Sequence, residues 1–159
     1  MKRILVTGAT GQIGSELVPV LRAKYRRDNV VAAGHRRKPD DTFMDSGPYE
    51  TIDTTDADSI STLVKKYSID TIYHLAALLS AKAEEDPQLA WDINMNGLQT
   101  VLEVARHYHC ALFFPSSIGA FGPTTPLDNT PQDTIQRPNT MYGVTKVAGE
   151  LLSDYYFKR

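Results

Sequence analysis

A tyrosine and a lysine stand four residues apart late in the chain, Tyr142 and Lys146 in "MYGVTK". On a helix that spacing puts both on one face. A free phenol ionises near pH ~10, too high for a base at neutral pH, and a neighbouring ammonium favours the phenolate. Such a pair can take a proton from an alcohol. Two serines, Ser116 and Ser117, follow the apolar run "CALFFP". At the C-terminal end of a strand, where open α/β sheets bind their ligands, a serine hydroxyl can hold the reacting oxygen. Tyr-x-x-x-Lys alone is common among ordinary surface pairs, so its weight depends on what accompanies it.

What accompanies it is "TGATGQIG", with glycines at 8, 11 and 14. The motif follows a strand-like run and opens a helix-like one, the context that gives a glycine pattern meaning. Gly8 permits a tight turn, Gly11 lets a pyrophosphate approach the backbone, and Gly14 lets helix and strand pack closely. Gln12 and Ile13 stand in the first helical turn, whose free N–H groups can face phosphate. The next expected mark is an acid about 20 residues on, to hold the ribose hydroxyls. That place is Gly34, followed by "HRRKP". Arg36 and Arg37 could clamp a 2′-phosphate, or they could be a solvated basic loop, so these residues leave NAD and NADP both open.

The elements that must position these groups alternate. Strands are expected at 3–8, 29–33, 49–53, 70–76 and 110–116. Helices are expected at 11–27, 56–67, 87–108 and from about 140. The second helix carries Ile60, Leu63, Val64 and Tyr67 on one stripe, with Asp56 or Thr55 as its cap. Pro19 should bend the first, and Pro87 suits the first turn of the third. Strand–helix alternation implies an α/β fold, a Rossmann-type doubly wound parallel sheet with helices on both faces, forming one dinucleotide-binding domain over 1–159. The polar segment 122–138 is long for a connection in a compact domain and reads as a functional flap or a mobile segment.

The 159 residues suffice for a sizeable core, and a net charge of −2 gives no basic footprint for nucleic acid or an anionic membrane. No apolar run reaches membrane-spanning length, and the N-terminal run is too short for an export signal. The expectation is a cytoplasmic protein starting at or near Met1. The single cysteine, Cys110, reads as core filling. Of the histidines, His107 and His109 lie on different faces of a helix, and His74, in a buried strand, reads as a satisfied core residue. No metal site is apparent.

Together "TGATGQIG", Asp53 after the third strand, "HLAA" after the fourth, Asn94-x-x-Gly97, "SSIGAFG" and "YGVTK" resemble the extended short-chain dehydrogenase/reductase family over the whole chain. Within it, "YHLAALLSAKAEEDPQLAWDINMNG" and "PSSIGAFGPTTPLDNTPQDTIQRPNTMYGVTK" are similar to the short-chain type of L-threonine 3-dehydrogenases. The resemblance implies Ser117, Tyr142 and Lys146 as the catalytic set. It implies Asp53, Thr54, Leu75, Ala76, Ala77 and Asn94 beside the cofactor, Ser80 at the substrate, and NAD and L-threonine as reactants. It implies a homodimer through the helices at 87–108 and 140–158. Nucleotide-sugar epimerases and dehydratases share every cofactor motif, and only "LLSA" and the flap separate them here. Members of the family run to roughly twice this length. The chain is therefore expected to stop after the helix carrying Tyr142 and Lys146, and to lack much of the substrate pocket and activity by itself.

Overall fold

The β-branched runs near the start make the sheet. In the computed structural model, which describes residues 2–159, the strands are β1 Ile4–Thr7, β2 Val30–Gly34, β3 Tyr49–Thr51, β4 Thr71–His74 and β5 Ala111–Phe113. Their order is β3-β2-β1-β4-β5 and every neighbouring pair is parallel. Ile4 stands beside Val30 on one side and Thr71 on the other.

Alternate side chains leave the sheet on opposite faces, as the two-residue strand period requires. Leu5, Val31, Ala33 and Ile72 pack with Ile60, Leu63 and Val64 of α3 (Ala57–Tyr67) and with Val101, Val104 and Ala105 of α6 (Gly97–Tyr108). Ile4, Val6, Val30 and Ala32 pack with Val18 and Leu21 of α1 (Gln12–Tyr25). The remaining helices are α2 Asp41–Asp45, α4 Ser80–Glu85, α5 Pro87–Trp91 and α7 Met141–Lys158. Strand residues buried on both faces explain the continuous apolar runs in the sequence. β5 is an edge strand, and its Ala111 and Phe113 are exposed.

The chain divides into two compact units. One holds the sheet and runs through Ala76, with Gly97–Pro115; the other comprises Ala77–Asn96 and Ser116–Arg159. Among the described residues no helix is long and apolar enough to cross a membrane.

The structure corrects one expected helix. Residues 87–108 are not one continuous α-helix: α5 ends at Trp91, a π-helical run occupies Asp92–Asn96, and α6 begins at Gly97. The run "DINMNG" is poor in strong helix formers. The wider turn buries Asn94 and Met95. Elsewhere boundaries move by one to three residues: β5 stops at Phe113 short of the expected 116, α1 stops at Tyr25, where Arg26 takes φ 76°, and α3 is capped by the Asp56 carboxylate accepting from the Asp58 amide. The short helices α2 and α4 are invisible to periodicity because five and six residues make too few turns to show it.

Arg22 also has a place that its type does not announce. It lies on the buried side of α1, and its guanidinium donates to the carbonyls of Val30 (3.4 Å), Phe43 (3.3 Å) and Pro48 (2.6 Å) and to the Ser46 hydroxyl. It also lies over the Phe43 ring, 5.4 Å from the centroid. Burial, and then Arg27 nearby, pushes its pKa below the usual arginine range. One side chain thus organises the whole connection from α2 into β3.

Candidate active site and cofactor cradle

β1 ends at Thr7 and the chain turns at Gly8, which takes φ 66°. A Cβ there would stand 2.6 Å from the Ala76 amide nitrogen, so the turn at Leu75 and Ala76 lies flat against it. A Cβ on Gly14 would stand 2.6 Å from both the Ala9 Cα and the Gly8 carbonyl oxygen, which is the close helix–strand packing expected of that glycine. Gly11 is different. Its Cβ would meet only the Gly8 carbonyl oxygen, at 3.2 Å, a far looser fit than at Gly8 or Gly14. Gly11 is also the N-cap of α1 and has no side-chain capping bond, and the first turn holds no acid. The result is a positive helix end with an open approach over Gly11, beside Gln12 and the exposed Ile13.

Behind the cradle, Thr7 and His74 share a buried hydrogen bond between Oγ1 and Nδ1, 2.9 Å long. His74 stacks on Phe114, in keeping with a core role. The Leu75 amide donates to the Thr7 carbonyl at 3.2 Å, extending the β4 pairing to the rim.

β2 ends at Gly34, and a Cβ on this residue would run into the Tyr49 hydroxyl and reach Thr10 Cγ2 of the glycine loop at 3.4 Å. Tyr49 Oη donates to the Arg37 carbonyl at 3.4 Å. Asp53 accepts from the Thr55 amide (2.9 Å) and hydroxyl (2.7 Å). These bonds hold its carboxyl below the usual range, with lesser help from the charges of His35 and Arg36. Thr54 is buried.

In the second unit, α7 starts at Met141 because Thr140 caps it, Oγ1 accepting from the Gly143 amide at 3.0 Å. Tyr142 and Lys146 lie one turn apart, with Nζ 5.6 Å from the Tyr142 ring centroid. Lys146 is only 5% exposed, and burial pushes its pKa below the ordinary lysine value. Ser117 caps the short 3₁₀ turn Ile118–Ala120. Its Oγ accepts from the Gly119 amide at 3.1 Å, which leaves the hydroxyl proton free to be donated outward. A Cβ on Gly119 would stand 3.3 Å from Tyr142 Cδ1 and 3.5 Å from Ser117 Oγ, so both residues flank this glycine. The neighbouring serine is engaged elsewhere, its hydroxyl donating from Ser116 to the Glu150 carboxylate.

Glu150 also accepts from the Gln136 side-chain amide, whose nitrogen stands 3.1 and 3.3 Å from its two oxygens. Gln136 lies in the 122–138 segment, whose two ends meet. A Cβ on Gly122 would collide with the Arg137 carbonyl, giving the closed neck of a compact loop. Glu150 thus ties this loop and Ser116 to the helix bearing Tyr142. The sequence carried a signal for it, since Tyr142, Lys146 and Glu150 repeat every four residues on one helix face.

Asn94 is buried, and its carboxamide is fully engaged. Oδ1 accepts from the Leu78 amide (2.7 Å), and Nδ2 donates to the Leu78 carbonyl (3.1 Å) and Thr145 Oγ1 (3.1 Å). It therefore fixes the chain after Ala77, and Thr145 passes the link on to the Tyr142 carbonyl at 2.8 Å. Ser80 is exposed at the start of α4. Glu84 of α4 accepts from the Met141 amide at 2.6 Å, a second tie to α7. Among the described residues no group of His, Cys, Asp or Glu is arranged to hold a metal ion.

The NAD dependent epimerase/dehydratase family matches residues 4–159. An uncharacterized epimerase/dehydratase of Staphylococcus saprophyticus is 55% identical over this whole chain, which spans 50% of the relative's length. The L-threonine dehydrogenase of Clostridium difficile superposes with a TM-score of 0.96 at 55% identity, covering 100% of this chain and 50% of that one. The holo GalE-like L-threonine dehydrogenase of Cupriavidus necator gives 0.93 at 42%, covering 99% and 50%. The UDP-glucose 4-epimerase of Thermus thermophilus, solved with NAD, gives 0.87 at 28%, covering 98% and 51%. With its parallel five-stranded sheet, glycine turn and Tyr–Lys helix, the chain belongs to the NAD dependent epimerase/dehydratase family.

Proposed function

We propose that this chain carries the cofactor cradle and the general base of a dehydrogenase that oxidises L-threonine to 2-amino-3-oxobutanoate with NAD. The placement of Ser117 and Tyr142 beside the same face of Gly119, with Tyr142 on the helix that buries Lys146, carries the reading. The likeness to threonine dehydrogenases at up to 55% identity supports the substrate over a nucleotide sugar, whose epimerase neighbour stands at 28%.

The residues fit a dinucleotide at its phosphate end. The open face of Gly11 and the uncapped first turn of α1 receive the pyrophosphate, with Gly8, Gln12, Ile13 and Gly14 shaping the turn. Leu75 and Ala76 form the rim. When bound, NAD supplies the hydride acceptor. Tyr142 takes the proton of the threonine hydroxyl at its phenolic oxygen while Ser117 donates a hydrogen bond to the same oxygen. The C3 hydrogen leaves threonine as hydride, so the hydroxyl carbon becomes a ketone and one proton is released overall. Lys146 holds its amino group one turn along the helix, 5.6 Å from the Tyr142 ring centroid. Asn94 and Thr145 act by holding the backbone near Tyr142.

Val144, Leu151 and Tyr155, exposed on one face of α7, are an apolar stripe suited to a second copy, and we assign a homodimer to it. A cytoplasmic setting goes with this reading.

The test uses the complete protein with L-threonine and NAD, followed by NADH absorbance, against UDP-glucose and UDP-galactose followed by sugar analysis. Threonine-dependent NADH formation that falls about 10²–10⁴-fold in Tyr142→Phe, with NAD affinity kept, is the expected result. Interconversion of the nucleotide sugars without threonine turnover would replace this function with epimerisation.

A further inference from the structure

The family's cofactor is NAD, yet the residue that would hold its adenosine ribose by a carboxylate is missing. In the dinucleotide cradle an acid at the end of the second strand accepts from the ribose 2′-hydroxyl and repels a 2′-phosphate. Here Gly34 occupies that end, and the Tyr49 hydroxyl fills the place of a Cβ, so a larger residue needs the tyrosine tip to move aside. Gly34 also lies against Thr10, so this is the end of β2 that borders the phosphate cradle. Asp53, two residues beyond the next strand, accepts both Thr55 bonds at Oδ1, which turns its carboxylate toward its own turn and not to the end of β2.

The segment that follows Gly34 is cationic: His35, Arg36, Arg37 and Lys38, all of them exposed. Tyr49 anchors it by donating to the Arg37 carbonyl, so the same side chain that excludes an acid at Gly34 also fixes the basic loop beside it. Neither Arg36 nor Arg37 enters an ion pair with a carboxylate among the described residues. A guanidinium outside any ion pair, next to a ribose position with no carboxylate acceptor, matches a phosphomonoester by bidentate hydrogen bonding.

We propose that Arg36 and Arg37, with Gly34 and Tyr49 clearing the space, form a subsite for the 2′-phosphate of an adenosine dinucleotide, so that the chain accepts NADP alongside NAD. The subsite rests on the dinucleotide reading of the glycine turn, and the reagents separate the two. It makes Tyr49 and Gly34 a matched pair. Restoring an acid at Gly34 requires the tyrosine to move, and trimming Tyr49 makes the room.

The experiment is calorimetric titration of the complete protein with NAD, NADP, 5′-AMP and 2′,5′-ADP at low and moderate salt. The last two differ only in the 2′-phosphate. The expected result is 2′,5′-ADP binding about tenfold or more tightly than 5′-AMP, and NADP at least as tightly as NAD, with the advantage shrinking as salt rises. Replacing both arginines (R36S with R37S) should abolish the advantage of 2′,5′-ADP and leave NAD affinity within about twofold. The double change Gly34→Asp with Tyr49→Phe should reverse the order in favour of NAD, whereas Gly34→Asp alone should lower the melting temperature. NAD binding with no preference for 2′,5′-ADP over 5′-AMP overturns the subsite and leaves the glycine cradle standing. Failure of NAD and NADP alike overturns the cradle itself. A preference that survives removal of both arginines overturns their role.

Discussion

Asn94 makes three hydrogen bonds from a nearly inaccessible position, at 2.7, 3.1 and 3.1 Å. Asn94→Ala deletes all three and strands the Leu78 amide, the Leu78 carbonyl and one face of the Thr145 hydroxyl. At a net ~0.5–1.5 kcal/mol per bond the loss is about 3 kcal/mol, before any desolvated group is left unpaired. N94D keeps the acceptor for the Leu78 amide but turns an ionised carboxylate toward two acceptor oxygens. Its carboxyl therefore holds its proton more tightly in the folded state than in the unfolded one. The native state then binds more protons, and stability falls as pH rises past ~4. Urea unfolding of parent and variants, with hydrogen exchange at the Leu78 amide, measures both effects. The Leu78 amide should exchange much faster in Asn94→Ala, even under conditions where global unfolding is rare. A destabilisation below about 1 kcal/mol with Leu78 protection unchanged would refute the anchoring role, because at least one of the bonds must then be energetically idle.

Lys146→Met should abolish turnover yet raise thermal stability at neutral pH, since burial lowers the folded-state pKa below 10.5 and the native state carries the cost of a buried ammonium. That cost is full below the folded pKa and vanishes as the lysine deprotonates, so the variant's advantage in melting temperature should shrink as pH climbs toward 10.5. Gly14→Ala, whose Cβ meets backbone at 2.6 Å, should cost about 1–3 kcal/mol or prevent folding. Gly11→Val should fold, its Cβ meeting only the Gly8 carbonyl oxygen at 3.2 Å, and lose NAD binding in the same titration. Arg22→Met removes one donor each from the carbonyls of Val30, Phe43 and Pro48, of which Phe43 keeps Ser46 and Pro48 keeps the Ala32 amide, and should cost about 1–3 kcal/mol in denaturant unfolding.

The strands and α3 were legible because their apolar residues keep a period that burial dictates: Ile60, Leu63 and Val64 are all buried in the structure. The Asp56 cap was legible for the same local reason, a carboxylate placed to meet the first free amides. Arg22 was not, because an arginine on an apolar helix face reads as solvent-facing until its carbonyl partners, 8–26 residues away, are placed. The π-helical run was hidden because its pairing shift leaves the spacing of Leu98, Val101 and Leu102 intact further on. At the candidate site, Ser116 and Ser117 looked alike in sequence. Their difference is set by Glu150, 34 residues beyond Ser116, and by the turn at Gly119. The missing acid at Gly34 was visible as a departure, but its cause lay in the β2–β3 register, which pairs Ala32 with Tyr49.

The central position of β1 has a consequence during synthesis. Ile4 is paired with Thr71, 67 residues later in the chain, and with Val30 on its other side. At ~5–20 residues per second, Thr71 is made about 3–13 s after Ile4. For those seconds the most apolar strand of the nascent chain can be covered by α1, β2 and finally α3, with its far edge left open. That edge is where a chaperone or a second nascent chain on the same message would engage, and slowing translation between residues 34 and 71 should lengthen its exposure. Pulse-labelled chains stalled with β4 still inside the ribosome, or already outside it, would show the change as a loss of protease sensitivity in the β1 segment once β4 has emerged.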